Sequence, residues 1–268
     1  MVKANNKVGG CDISHWQDDQ STPQQVDFEK MKKAGAEFVF IKASERMSID
    51  GDLIYNWQNA KDAGLLRGAY HFLRWDVSGL QQARFFCNSA LKGDYGELPL
   101  VADFEAPAAT YGGHTYWQSN NLLFQFLQEV ETITGKVPMV YTSPGFWQTN
   151  GKKKGTQIYD TKWKYYPLWI AHYTKAKRPI VPKPWDDYLF WQWTASGDGH
   201  KYGAESRGLD MNWFNGDMME LYALAGQGEI EPPAPTDPSI PVDIAISVAK
   251  LEGRLEILED WAKNIALK

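Results

Sequence analysis

Eight short apolar runs constrain this chain more than any other feature of its sequence. They span residues 7–14, 38–44, 66–73, 98–105, 137–143, 166–173, 188–194 and 208–214. Each is rich in β-branched or aromatic residues and has the length of one buried strand. Helix-like segments at 23–34, 52–63, 78–91 and 116–134 lie between the earlier runs. Glycines at 35, 64 and 135 follow three of these segments, where helices tend to stop. Strands without in–out alternation, separated by helices, predict a parallel sheet covered on both faces. Eight of them within the first 214 residues predict a closed β/α barrel rather than an open, doubly wound sheet. The connections at 174–187 and 195–207 show no helical periodicity, so the expected barrel is irregular, with eight strands and fewer than eight helices. No glycine-rich phosphate loop follows the first run, which counts against a nucleotide-binding sheet.

A second architectural signal lies near the C-terminus. Five prolines between 227 and 241 exclude a helix or central strand and favour an extended spacer. The expected organisation is a large domain at 1–226, a Pro-rich linker at 227–241 and an amphipathic helix at 242–268. In that last segment Ile244, Val248, Leu251, Leu255, Leu258, Ala262 and Ile265 follow a 4-3-4-3-4-3 spacing, a heptad seam. So narrow a stripe predicts a homo-oligomer formed through 242–268, and wall binding or docking on the large domain are the competing readings.

Charge and cysteine usage narrow the function. The chain has 28 Lys+Arg against 33 Asp+Glu, a net charge of −5, which excludes nucleic acid as the main partner. Two cysteines, Cys11 and Cys87, exclude a disulfide scaffold. No apolar run is long enough to span or insert into a membrane, and the first seven residues hold no signal-peptide pattern. The chain is 14% aromatic with 12 Trp. That excess suits a carbohydrate groove, where flat rings stack on sugar faces.

In a β/α barrel the chemistry sits at the C-terminal ends of the strands. The predicted ends carry Asp12, Lys42 with Glu45, Tyr70 with His71, Asp103 with Glu105, Tyr141, His172 with Tyr173, the stretch Trp191-Gln192-Trp193, and Asp210. The sharpest feature is Leu98-Pro-Leu-Val-Ala-Asp-Phe-Glu105. Positions i and i+2 of a strand share a face, which places the Asp103 and Glu105 carboxyls on one side, with their Cβ atoms roughly 6.5 Å apart. Such a pair does not ionise independently, and one member has a raised pKa. A carboxylic acid still protonated near neutral pH is what a glycosidic oxygen needs as proton donor. The competing reading is a divalent metal held by the clustered acids, but no His or Cys spacing supports a metal site, and neither metal nor cofactor is expected. No Gly-x-Ser-x-Gly elbow marks a serine nucleophile, and Cys11 lies inside a strand as a small core residue.

Seven segments together resemble one family. They are Cys11-Asp-Ile-Ser-His-Trp-Gln17, Phe38-Val-Phe-Ile-Lys-Ala-Ser-Glu45, Gly68-Ala-Tyr-His-Phe72, Leu98-Pro-Leu-Val-Ala-Asp-Phe-Glu105, Val140-Tyr-Thr-Ser143, Leu168-Trp-Ile-Ala-His-Tyr173 and Leu209-Asp-Met-Asn-Trp213. In this order they resemble glycoside hydrolase family 25, the muramidases often called Chalaropsis-type lysozymes and common among phage endolysins. The resemblance implies a flattened β/α barrel that cleaves the β-1,4 bond from N-acetylmuramic acid to N-acetylglucosamine in bacterial peptidoglycan. It implies synthesis in a host cytoplasm and action on the cell wall during phage-induced lysis. It also implies Glu105 as general acid, Asp103 as its partner, Asp12 and Asp210 as flanking acids, and Tyr70, Tyr141, Trp169 and Trp191 as groove-lining residues. Ser44 stands where the family commonly has Thr, and Arg46 where it commonly has Gly, so the second loop is expected to differ in shape. A non-catalytic wall-binding barrel and a chitinase-like hydrolase are the alternative readings.

Overall fold

All eight apolar runs become strands, and they close on themselves. The computed structural model describes residues 7–19, 21–22, 25–106, 116–152 and 158–226. Met1–Gly226 form one unit; the expected linker at 227–241 and the helix and oligomer expected at 242–268 lie outside the described residues. The barrel strands are β1 (Val8–Ile13), β2 (Phe38–Glu45), β4 (Leu66–Phe72), β5 (Val101–Asp103), β6 (Met139–Thr142), β7 (Leu168–Ala171), β8 (Phe190–Asp198) and β9 (Gly208–Phe214). A two-residue β3 (Ser48–Ile49) folds back on the end of β2. Neighbours run β1-β9-β8-β7-β6-β5-β4-β2, and β1 pairs with β2 to close the ring.

Helices fall where the sequence predicts them in the first half. They are α1 (Phe28–Lys33), α2 (Leu53–Asp62), α3 (Gly79–Arg84), which runs on into the π-helical turn Phe85–Ala90, and α4 (Tyr116–Thr134). Gly35, Gly64 and Gly135 all take positive φ just past α1, α2 and α4, the backbone that ends a helix at little cost only for glycine. Two further helices, α5 (Pro144–Asn150) and α6 (Met218–Leu224), are seven residues each, too short to show a period. Their signal was capping: Ser143 accepts from the Phe146 N–H ahead of Pro144, and Asp217 with Glu220 forms a capping box. The stretch between β7 and β8 carries no helix, as expected. No described helix is long and apolar enough to cross a membrane.

One strand departs from the predicted parallel sheet. β9 runs antiparallel to both β8 and β1, while the other ring pairings are parallel. The cause is the short connection from Asp198 to Gly208. A parallel partner requires a crossover of a dozen or more residues, usually through a helix, and this connection has neither the length nor a helix. The chain therefore turns straight back as a hairpin.

The barrel interior is filled from below. Val8, Phe38, Phe40, Leu66, Val101, Met139, Trp169, Phe190 and Phe214 form an inner cluster. Gly10 and Gly68 make room for it: a Cβ at Gly10 would lie 2.4 Å from the Phe38 carbonyl oxygen, and one at Gly68 would lie 2.2 Å from the Phe40 ring. The alternate strand residues point outward into a second cluster shared with the helices, including Cys11, Val39, Ile41, Ala102, Phe104, Ile170 and Trp191. Both cysteines are buried free thiols, and burial raises their pKa, that of Cys87 to about 12. Thiolates are therefore suppressed, in keeping with packing roles.

Candidate active site

Inward-facing positions change from apolar to acidic toward one end of the barrel. There Asp12, Asp103, Glu105 and Asp210 line a single cavity of about 400 Å³, with Lys42, Tyr70, Tyr141, Trp169, Tyr173 and Gln192. The four acids predicted from the sequence thus meet in one place. Asp103 ends β5 and is 4% exposed. Glu105, two residues on, emerges past the strand end with its side chain open to the cavity. Phe104 between them points the other way and packs on Phe146, Trp147 and Trp75 of the outer layer, which fixes the two carboxyls on the cavity side.

Asp210 arrives by a route the sequence reading did not foresee. On a parallel strand it would sit near the beginning, at the wrong end of the barrel. Because β9 is antiparallel, its first residues lie beside the last residues of β1, and Asp210 is directly opposite Asp12. Such cross-strand partners hold their Cβ atoms about 4.5–5.5 Å apart, and like charges there repel. Burial, followed by repulsion from Asp210, raises Asp12 well above the usual carboxylate range. Burial alone pushes Asp210 up to about 6.

Asp12 is 6% exposed, and one of its oxygens is doubly engaged. Its Oδ2 accepts from Gln192 Nε2 at 2.8 Å and from Asn212 Nδ2 at 2.7 Å. Gln192 Oε1 in turn accepts from the hydroxyls of Tyr141 at 2.9 Å and Tyr173 at 2.7 Å. Asn212 Oδ1 accepts from Trp169 Nε1 at 2.8 Å. One network therefore ties the cavity floor together across β1, β6, β7, β8 and β9. Asp103 contrasts with it: its Oδ1 is buried and has no hydrogen-bond partner among the described residues. A buried carboxylate oxygen without a donor is costly, and Asp103 is one of the residues lining the cavity. Burial, then the charge of Glu105, raises Asp103; burial, then the charge of Asp210, raises Glu105.

Of the aromatics predicted to line the groove, Tyr70, Tyr141 and Trp169 do so. Trp169 forms the floor, stacked on Phe40 at 4.4 Å with Tyr141 edge-on at 4.6 Å. Trp191 does not. It is 3% exposed, lies in the outer cluster and donates its Nε1 to the His172 carbonyl at 2.8 Å. The strand period explains the difference: Phe190 and Gln192 face inward, so Trp191 must face outward. The same period, applied to β8 and β9, would have selected Gln192 and Asn212. Trp16 was also passed over. It stands 73% exposed on the turn after β1, against His15 and at the rim of the acidic cavity.

A second cavity of about 740 Å³ continues from the first and shares Glu105, Tyr141 and Tyr173 with it. Its other walls include Pro144, Gln148, Tyr159, Ile180 and Pro182. The two make an extended groove with Glu105 at the junction, a shape suited to a linear polymer cleaved in its middle. At the other side, Arg46 adopts φ 53°, in the left-handed region that favours glycine, and its Nε donates to Asp76 at 2.8 Å. The backbone keeps a conformation suited to the family's Gly, while the Arg side chain adds an ion pair.

The raised carboxyls carry a stability consequence with a definite sign. Asp210 titrates near 6 when folded and near 3.9 when unfolded. Its favourable contribution is therefore complete below about pH 4 and is lost as pH rises through about 6. Asp210→Asn should raise Tm at pH 7.5, by up to about 3 kcal/mol of stability, and should leave Tm at pH 4 nearly unchanged. Thermal unfolding at the two pH values checks this, and equal shifts at both would show that the charge is not the cause.

The comparisons with known proteins agree with this geometry. The sequence model of glycosyl hydrolases family 25 matches residues 11–201. Lysozyme M1 of Streptomyces globisporus is 33% identical over 226 residues, covering 81% of this chain and 71% of that protein. The N,O-diacetylmuramidase of Chalaropsis sp is 26% identical over 227 residues, covering 81% and 99%. The crystal structure of the bacterial lysozyme from Streptomyces coelicolor superposes with a TM-score of 0.68 at 30% identity, over 83% of this chain and 98% of that one. An acidic cavity at one end of a closed barrel, a family match across most of that barrel and relatives of this similarity lead to one conclusion: the chain belongs to glycosyl hydrolases family 25.

Proposed function

We propose that this glycoside hydrolase is a muramidase that cleaves the β-1,4 bond between N-acetylmuramic acid and N-acetylglucosamine in bacterial peptidoglycan. The observation that carries the reading is the Asp103–Glu105 pair, set among further acids at the midpoint of an extended groove. Lysozyme and muramidase relatives over most of the chain support the choice of polymer.

In this mechanism Glu105 protonates the leaving glycosidic oxygen. Positive charge then develops at the anomeric carbon and needs a negative group nearby. Asp103 approaches from the same strand, and thus from the same side, which makes attack on the opposite face awkward. The Asp103 carboxyl, lining the cavity, fits a different task, accepting the N–H of the substrate's 2-acetamido group, whose carbonyl oxygen then attacks the anomeric carbon. That hydrogen bond also explains how the pair chooses its proton. Both carboxyls are raised and, lying close together, titrate as a pair. A donor delivered to Asp103 stabilises its anion and leaves the proton on Glu105.

Purified bacterial walls should lose turbidity and release reducing ends with this enzyme, whereas chitin should not. Equal activity on chitin would favour the chitinase-like alternative, and binding without hydrolysis the non-catalytic barrel. The biological setting we propose is phage-induced host lysis: cells holding the enzyme in their cytoplasm should lyse once the membrane is permeabilised, and intact walls after permeabilisation would contradict it. Self-association through 242–268 belongs to the same proposal on its heptad spacing, and light scattering on the full chain should give more than the monomer mass.

A further inference from the structure

A regular strand points residues i and i+3 to opposite faces. Lys42 and Glu45 meet nevertheless: Lys42 Nζ donates to Glu45 Oε2 at 2.7 Å. The reason is a bulge in β2. The β2–β4 register slips between Lys42 and Ser44, leaving Ala43 without a partner on β4. An extra residue of this kind re-aims the side chains beyond it, and bulges recur next to active sites. Here Ser44 turns to the outer layer, where its hydroxyl meets the buried His71 Nδ1 at 2.8 Å. Glu45 returns to the side of Lys42. Its other oxygen, Oε1, accepts from Arg74 Nε at 2.7 Å.

Lys42 is thereby held, buried, at the wall of the acidic cavity. Among the described residues lining that cavity it is the only Lys or Arg. Asp12 faces the cavity from β1, Tyr70 from β4, Asp103 and Glu105 from β5 and the residues after it, Tyr141 from β6, Tyr173 from beyond β7, and Asp210 from β9. On its other side Lys42 meets Glu45, which Arg74 also engages, and borders a neighbouring cavity lined by His15, Arg46, Asp50 and Asp52. Four carboxyls in one partly desolvated space repel one another and favour protonation of all. A cavity in which every acid is protonated has a proton donor but no anion to oppose the developing positive charge.

We propose that Lys42, clamped by Glu45 and Arg74 across the β2 bulge, is a positioning residue that keeps the Asp103–Glu105 pair from taking up two protons, so that one carboxyl stays an anion while the other holds the proton. This rests on the hydrolytic reading of the Asp103–Glu105 pair. The ammonium is also the largest influence that opposes burial and repulsion at both members of the pair. Arg74, whose guanidinium engages the far oxygen of Glu45, adds to this effect at Glu105 but not at Asp103.

The test uses the full chain and three variants: Lys42→Met and Lys42→Gln, which remove the charge, and Lys42→Arg, which keeps it. The acidic limb of kcat/KM against pH, measured on purified walls, should move up by about one pH unit in both neutral variants. Lys42→Arg should return it toward the wild-type position. A carboxyl-carbon NMR titration of Asp103 should show the same upward move without any substrate. Neutral variants that lose rate equally at all pH values, with limb and titration in place, would overturn the proposal and leave Lys42 a packing residue. Wild-type protein that leaves walls intact would overturn the muramidase reading instead, while the Asp103 titration would still decide the role of Lys42. Should one neutral variant fail to fold, the other carries both readouts.

Discussion

Glu105→Gln should lower wall hydrolysis by about 10²–10⁴-fold while leaving the fold intact. The amide has nearly the same shape but no proton to give, and Glu105 stands at the junction of the two cavities, where a scissile bond would lie. Its side chain opens to the cavity and no hydrogen bond within the network around Asp12 depends on it. Unfolding should therefore be little changed, or slightly favourable, because a carboxyl raised by burial and by Asp210 is replaced with a neutral group. Walls incubated with purified variant and wild type, followed by reducing-end release, give the comparison. A variant that keeps more than a tenth of the rate would remove Glu105 from the role of acid.

Asp103→Asn should cost about 10²–10³-fold, the scale on which loss of one preorganised electrostatic partner is felt. Its diagnostic consequence lies in the pH profile. The acidic limb of kcat/KM reports a carboxylate that must be ionised, and the alkaline limb an acid that must stay protonated. With Asp103 replaced by an amide the acidic limb should disappear, while the alkaline limb set by Glu105 persists. The residual rate should not recover with added formate or azide if the acetamido group is the attacking nucleophile, because no external anion is then required at the anomeric carbon. A profile with both limbs unchanged would take Asp103 out of the coupled pair.

The fold was legible where hydrophobic period and chain length leave few choices. Eight buried runs with helices between them have almost no alternative to closure, and each run became a strand. What escaped was direction. Nothing in 208–214 distinguishes a parallel strand from an antiparallel one; the information lies in the connection before it, too short for a crossover. Asp210 was legible as an acid at a predicted strand end, but only the reversal of β9 brings it opposite Asp12. The acids were legible because Asp-x-Glu at the end of one apolar run, weak alone, was joined by Asp12 and Asp210 at other predicted strand ends. Their supporting amides were not. Gln192 and Asn212 look ordinary in sequence, and Trp191 beside them attracted the sugar-stacking role that its outward face forbids. The bulge at Ala43 was equally hidden, since a one-residue slip leaves no mark in composition. Alternation along the strand separates such neighbours, and it was applied to Asp103 and Glu105 but not to β8.

The central claim is that the groove cleaves peptidoglycan on the muramic acid side of the glycosidic bond, with Glu105 as acid. The most direct measurement is the identity of the new reducing ends: purified walls are digested, the products reduced with borohydride and hydrolysed, and the amino sugar alcohols separated. The account predicts muramicitol rising with time in the wild type and absent with Glu105→Gln. Glucosaminitol as the new end, or no new reducing end at all, would contradict it.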